Sequence, residues 1–224
     1  MDYLFGTPYE IRQEKGMYHF SSDSELLGRF LDLSAEDTVL DIGTNNGVLL
    51  LYASLQKPAS LAGIDLFEEV ITLARENLNR YDIAAEFAVS RLQDYEHEPF
   101  RAVICNPPFF TNQNDRLKKE NPYLRAARHS DNLSLEDLFL HAKRLLKDEG
   151  KLFLVYPSVD KEAFHKCAED LGFTLTFYRK VYDKRGGREL RELALYRKTK
   201  TGNTEEGEPV YLDELHNSEK SLAK

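Results

Sequence analysis

Between Thr38 and Asp65 the chain changes period twice, and this alternation limits the fold more than any other feature. Thr38-Val39-Leu40-Asp41-Ile42-Gly43 is an apolar strand that runs into a tight turn ending at Gly47. An apolar helix follows from Val48 to Leu55, and Leu61-Ala62-Gly63-Ile64-Asp65 is a second strand that ends in an acid. Strand, short turn, helix and strand in so few residues form a βαβ unit, which puts the two strands parallel in one sheet. The pattern continues along the chain. It predicts strands over 38–43, 60–65, 84–89, 101–105 and 151–156, and helices over 47–55, 68–79, 135–148 and 160–171. Gly150 and Gly172 stand where helices stop. A closing hairpin, 173–182 with 190–197, turns around Gly186-Gly187 and brings an antiparallel strand into the sheet. Residues 1–35 read as an N-terminal arm whose Leu26, Leu27, Phe30 and Leu31 share one helical face. Asp23 or Ser24 is the expected cap. The domain proper spans 36–200. Residues 201–224 form an acidic, partly disordered tail in which Pro209-Val210-Tyr211-Leu212 suits a short docked strand.

The first βαβ unit carries chemistry. Its turn brings backbone N–H groups and a helix N-terminus to a ligand, and the glycines allow close approach. Asp65 lies near the ~20-residue separation expected of a ribose-binding carboxylate. A dinucleotide site would need G-x-G-x-x-G, but Thr44, Asn45 and Asn46 separate Gly43 from Gly47. A nucleoside cofactor without phosphates fits better, and S-adenosyl-L-methionine is the leading choice. The expected cofactor-binding residues are Asp41, Gly43, Thr44, Asn45, Gly47, Asp65, Leu66, Asp94 and Asn106. Gly43 and Gly47 approach the methionine part. Asp41 acts through backbone N–H groups or the cofactor's ammonium, and Asp65 holds the ribose hydroxyls. Asp94, after the third strand, accepts from the adenine amino group.

The fourth strand, Ala102-Val103-Ile104-Cys105, leads into Asn106-Pro107-Pro108-Phe109. The Asn amide oxygen accepts from an N–H. The two prolines remove donors and stiffen the turn. The aromatic ring offers a stacking face. Together they suit an exocyclic amino group held for attack on an electrophile, with Asn106, Pro107, Pro108 and Phe109 as the catalytic set.

In order, Asp41-Ile42-Gly43, Gly47, Asp65, Asp94 and Asn106-Pro107-Pro108-Phe109 resemble the class I methyltransferases that modify amino groups of adenine, guanine or glutamine. Gln13-Glu14-Lys15-Gly16-Met17-Tyr18-His19-Phe20-Ser21-Ser22-Asp23-Ser24-Glu25-Leu26-Leu27 resembles the stretch ahead of the cofactor motif in the bacterial tRNA(Val) N6-adenine methyltransferases, as does Phe109-Phe110. Asn45 departs from the pattern, since many class I enzymes have glycine there. Asn tolerates left-handed backbone, so the turn should survive. The resemblance implies a Rossmann-like α/β fold with a mostly parallel seven-stranded sheet and an antiparallel C-terminal strand. It also implies N6-methylation of a tRNA adenine, at position 37 beside the anticodon of a valine tRNA. Guanine N2 in rRNA, a protein glutamine, and a non-catalytic cofactor- or RNA-binding protein are the competing readings. The glutamine enzymes typically carry Tyr after the prolines and a helical N-terminal domain, which this chain lacks.

A net charge of −8 argues against a nucleic-acid partner until its distribution is seen. The chain is basic after the proline turn (Arg116, Lys118, Lys119, Arg125, Arg128) and again from Arg179 to Lys200. Lys184, Arg185 and Arg188 of the second stretch join the first cluster as expected RNA contacts. The charged segment 109–133 is expected to close over the substrate base. Tyr18 and Phe20 alternate as in a short strand. The histidines make no i,i+4 pair, so no metal site is expected. Cys105 and Cys167 lack metal spacing and suit a reducing compartment. No apolar run approaches the ~18 residues of a membrane span, and no signal peptide is indicated. The expectation is a cytoplasmic enzyme with a tRNA substrate and no membrane partner.

Overall fold

The structure is a computed structural model and describes residues 1–17, 19–108, 133–199 and 202–215. A two-stranded antiparallel sheet, β1 (Asp2–Tyr3) with β2 (Glu10–Ile11), opens the chain and leads to helix α1 (Ser22–Phe30). Then come β3 (Thr38–Ile42), α2 (Val48–Ser54), β4 (Ser60–Asp65), α3 (Glu68–Asn79), β5 (Glu86–Val89) and β6 (Phe100–Cys105). After the undescribed stretch follow α4 (Leu135–Leu145), β7 (Leu146–Pro157), α5 (Lys161–Asp170), β8 (Thr174–Tyr182) and β9 (Glu189–Arg197).

The seven main strands lie in the order β8-β9-β7-β6-β3-β4-β5. Pairing is parallel from β5 to β7 and antiparallel on both sides of β9. Two short strands, β10 (Glu205–Glu206) and β11 (Val210–Tyr211), add to the outer side of β8 and bring the sheet to nine. The chain turns back at β3, which has β4 on one side and β6 on the other. Ligands of open α/β sheets bind at this switch point, beyond the carboxyl ends of the strands.

Strand alternation builds two cores. Ala102, Ile104, Phe153, Val155, Leu193 and Leu195 face the side covered by α1 and α2. Val103, Cys105, Leu152, Leu154, Ala194 and Tyr196 face the side of α4 and α5. A strand buried on both faces has no polar side, which is why these segments read as continuous apolar runs.

Three expectations need correction. Helix α4 stops at Leu145, three residues short, because Leu146 pairs with Phe100 and enters the sheet. The left-handed position there is taken by Glu149 (φ 60°), not by Gly150. Neither Asp23 nor Ser24 caps α1: the helix begins earlier, behind Ser21, with no side-chain cap bond. Asp23 instead accepts Arg191 Nε of β9 with both carboxylate oxygens, at 3.1 and 3.0 Å. Phe20 lies in no strand. Its N–H donates to Gln13 Oε1 at 2.9 Å, and Tyr18 lies outside the described residues.

Helix α1 crosses α2 at Gly28, where a Cβ would meet Tyr52 Cγ at 2.3 Å. Tyr52 is buried and donates its hydroxyl to the Phe5 carbonyl at 2.9 Å, so the ring has little room to move. In Gly28→Ala the gain in helix propensity, about 1 kcal/mol, opposes an overpacking cost of about 1–3 kcal/mol. The variant should lose up to about 2 kcal/mol, seen as a lower urea midpoint at unchanged m-value; a higher midpoint would mean that the interface yields.

Candidate active site

Strand register assembles the site. Ile42 pairs with Ile64 of β4 and with Cys105 of β6. The next residue on each strand is therefore level with the others, and Asp65, Gly43 and Asn106 form one row across the switch point. Neighbouring strands lie ~4.8 Å apart, so Asp65 and Asn106 are separated by about 10 Å of backbone with the glycine turn between them.

The turn is left-handed at Gly43 (φ 69°), Asn45 (φ 49°) and Gly47 (φ 84°). Asn45 thus adopts the conformation expected of it. A Cβ at Gly43 would find open space within 4 Å, whereas one at Gly47 would strike Leu78 Cδ1 at 2.7 Å. Gly43 thus leaves an open face, and Gly47 lets the turn sit against α3.

Asp41 is fully buried behind the turn. Its Oδ2 accepts the Thr44 hydroxyl at 2.9 Å, while Oδ1 has no hydrogen-bond partner. Burial, with the nearby charge of Asp65 adding to it, pushes its carboxyl up to about 8 against the pull of the Thr44 bond. Asp65 accepts the Asn45 N–H at 3.0 Å on Oδ2 and the Leu66 N–H at 2.7 Å on Oδ1. The Phe67 N–H bonds the same carboxylate, which leaves it room for one further donor. Burial raises the Asp65 carboxyl, and the backbone bonds oppose that rise.

Three contacts around the site were missed by sequence reading, those of Asn77, Asn46 and Ser24. The Asn77 amide, inside α3, bonds both backbone groups of Arg12 and the Asn46 carbonyl, at 2.9–3.0 Å. A lone Asn on the buried face of an amphipathic helix was the signal. Asn46 is buried, and its Oδ1 has no hydrogen-bond partner. Ser24 Oγ accepts the Asn106 Nδ2 at 3.1 Å.

Asp94 does not close on this row. Its side chain is 69% exposed and lies 4.0 Å from Arg91. The basic stretch after Arg179 is largely engaged within the protein. Lys180 pairs with Glu206, Arg191 with Asp23 and Lys198 with Asp148, and Arg179 donates to the Glu208 carbonyl. Arg185 pairs with Glu214 and stacks over Tyr211. Lys184 and Arg188, in the β8–β9 turn, make no side-chain ion pair with a described residue. That turn leaves the sheet at the carboxyl end of β8, the edge that also carries Asn106. Phe109, Arg116, Lys118, Lys119, Arg125 and Arg128, with most of the 109–133 segment expected to close on the base, lie outside the described residues.

The row and the turn beside it carry groups that fit S-adenosyl-L-methionine. Unpartnered buried oxygens on Asp41 and Asn46 suit a cationic amino acid group, and the acid of Asp65 suits a ribose diol. Among the described residues no group of three His, Cys, Asp or Glu side chains is placed to hold a metal ion. No helix among them is long and apolar enough to cross a membrane.

Residues 9–119 match the family model of the methyltransferase small domain. The tRNA1(Val) (adenine(37)-N6)-methyltransferase of Trichodesmium erythraeum is 33% identical over 172 residues, 73% of this chain and 71% of that one. The chain belongs to this methyltransferase family. The Aliivibrio fischeri (strain MJ11) member is also 33% identical, over 72% of this chain and 69% of its own. The crystal structure of a Pyrococcus furiosus methyltransferase superposes with a TM-score of 0.65 at 18% identity, covering 88% of this chain and 91% of that one. Family and fold together make the protein a Rossmann-like class I methyltransferase with S-adenosyl-L-methionine as cofactor.

The buried Asp41 makes stability depend on pH with a definite sign. Unfolded, this carboxyl ionises near 3.8; folded, near 8. Between those values the folded state binds the extra proton, so stability falls as pH rises, by up to about 1.4 kcal/mol per pH unit. Above about pH 8 the loss is complete. Asp41→Asn removes this slope, so the wild type's urea stability minus that of the variant should decline from pH 5 to 8 and then level. Parallel profiles would mean that Asp41 is ionised throughout.

Proposed function

We propose that this protein transfers a methyl group from S-adenosyl-L-methionine to N6 of adenine 37, beside the anticodon of a valine tRNA. The observation that carries the reading is the row Asp65–Gly43–Asn106: strand register sets an amide oxygen for the acceptor level with a turn and an acid for the cofactor. Gly43, Thr44, Asn45 and Gly47 form the cradle, with Asp41 holding Thr44 behind it and Asp65 and Leu66 closing the ribose side. Asp94 is assigned to the adenine end, reached by movement of its exposed side chain. When bound, the cofactor supplies an electrophilic methyl group on a positive sulfur.

The chain's own residues do the rest by orientation. Adenine must leave its stack to reach them, and an anticodon-loop base does so at low cost. Asn106 Oδ1 and the Pro107 carbonyl accept hydrogen bonds from the two N6 protons. This turns the nitrogen lone pair away from conjugation with the ring and towards the methyl group. With the cofactor bound, a C–N bond would form as the cofactor's C–S bond broke, and N6 would release one proton to solvent. Pro108 stiffens the turn and Phe109 stacks on the base. A displacement of this kind gains most of its rate from alignment. Lys184 and Arg188, with Arg116, Lys118, Lys119, Arg125 and Arg128, hold the tRNA phosphates; Arg185 joins them on leaving Glu214. A tRNA substrate and the free thiols Cys105 and Cys167 both suit the cytoplasm.

The test is transfer of radiolabel from the cofactor to RNA of cells that lack the protein, followed by digestion to nucleosides. Label in N6-methyladenosine of the tRNA fraction is the expected result; label in another nucleoside or in protein would overturn the reading. Asn106→Ala should lower kcat by about 100-fold or more, with cofactor affinity by calorimetry within about threefold of wild type. Asp65→Ala should reverse that split, losing affinity for the cofactor first.

A further inference from the structure

Asn106 is useful to an amino acceptor in only one of its two amide orientations. With Oδ1 towards the substrate it accepts an N–H; with Nδ2 there it sets one donor against another. The peptide chain does not choose between them, because the amide can turn end for end about its last side-chain bond. A neighbouring group biases the choice by the role, donor or acceptor, that it takes. In this structure Nδ2 donates to Ser24 Oγ at 3.1 Å, across a separation of 82 residues.

Ser24 is well fixed for this task. Its side chain is buried, and its backbone N–H donates to the Ser21 carbonyl at 3.0 Å. The preceding residue, Asp23, is clamped by Arg191 Nε, and Leu26 and Leu27 anchor the helix in the core. The start of α1 is thereby fastened to β9, and its hydroxyl is presented to the turn after β6.

We propose that Ser24 is a positioning residue for methyl transfer: by taking the Asn106 amide nitrogen it keeps the amide oxygen turned to the acceptor. This rests on the amino-methylation reading above. It assigns to Ser24 a role in the chemical step and none in holding the cofactor.

Kinetics and spectroscopy test it together. Ser24→Ala should lower kcat by about 10- to 100-fold, with KM for tRNA and cofactor affinity each within about twofold. Ser24→Thr, which keeps the hydroxyl, should recover most of the rate. In an Asn106→Ala background, Ser24→Ala should change the residual rate by less than about twofold, because the group it orients is gone. An equal loss in both backgrounds, or a kcat unchanged by Ser24→Ala alone, would overturn the proposal. The second readout needs no turnover. The Asn106 side-chain amide pair, assigned in 15N spectra by its loss in Asn106→Ala, should shift in Ser24→Ala and stay near its place in Ser24→Thr. An unmoved pair in Ser24→Ala overturns the role of Ser24 whatever the acceptor is. Wild-type protein that methylates no RNA but shows the shift would overturn the function and leave the Asn106–Ser24 contact standing.

Discussion

The parallel pairing of β3 with β4 on one side and β6 on the other is the constraint on which the site depends. Residues 43, 65 and 106 are far apart in sequence, yet each directly follows one member of the level Ile42, Ile64 and Cys105, where the pairings of β3 end. A slip of one residue in either pairing would move Asp65 or Asn106 out of the row and turn every buried side chain of that strand to the wrong face. Both faces of these strands are packed, so core packing enforces the register and, through it, the geometry of the site.

Around this row the protein places its polar groups asymmetrically. Around the turn and the end of β4 lie carboxyl and amide groups, among them Asp41, which has one oxygen satisfied by Thr44 and the other held back from water. Such a group is costly in an empty site and valuable beside a positive ligand. On the acceptor side lies a stiff proline turn with one oriented amide. The two sides ask different things of the chain, charge in one case and alignment in the other. The first group of residues comes from β3, β4 and the turn; the second touches the arm through Ser24.

Much of this was legible in the sequence, because local signals and tertiary outcome agreed. The strand-to-turn pattern at 38–47, the acid ending β4 and the proline turn each stand where their elements end. The misreadings share one cause: a partner remote in sequence outweighed a local preference. Gly150 looked like a helix stop, but Leu146 found Phe100 and left the helix first. Asp23 and Ser24 had the composition of a cap, yet Arg191 and Asn106 took their side chains. The basic run after Arg179 looked like an open phosphate-binding face, but most of its cations meet acids or carbonyls of other segments, several of them in the acidic C-terminal stretch. Composition registers such charges and says nothing of which ones meet.

The clamp between Asp23 and Arg191 also bears on how the protein is born. Synthesis delivers the cofactor turn, Asp65 and Asn106 within the first half of the chain, but Arg191 emerges near the end, and β9 must insert between β7 and β8 before its guanidinium is in place. A nascent chain can thus carry every residue of the row while the start of α1 remains unfastened. The ion pair that ties α1 to β9 thus forms late, and a fragment cut short of β9 keeps the residues of the row but lacks this one of the arm's anchors.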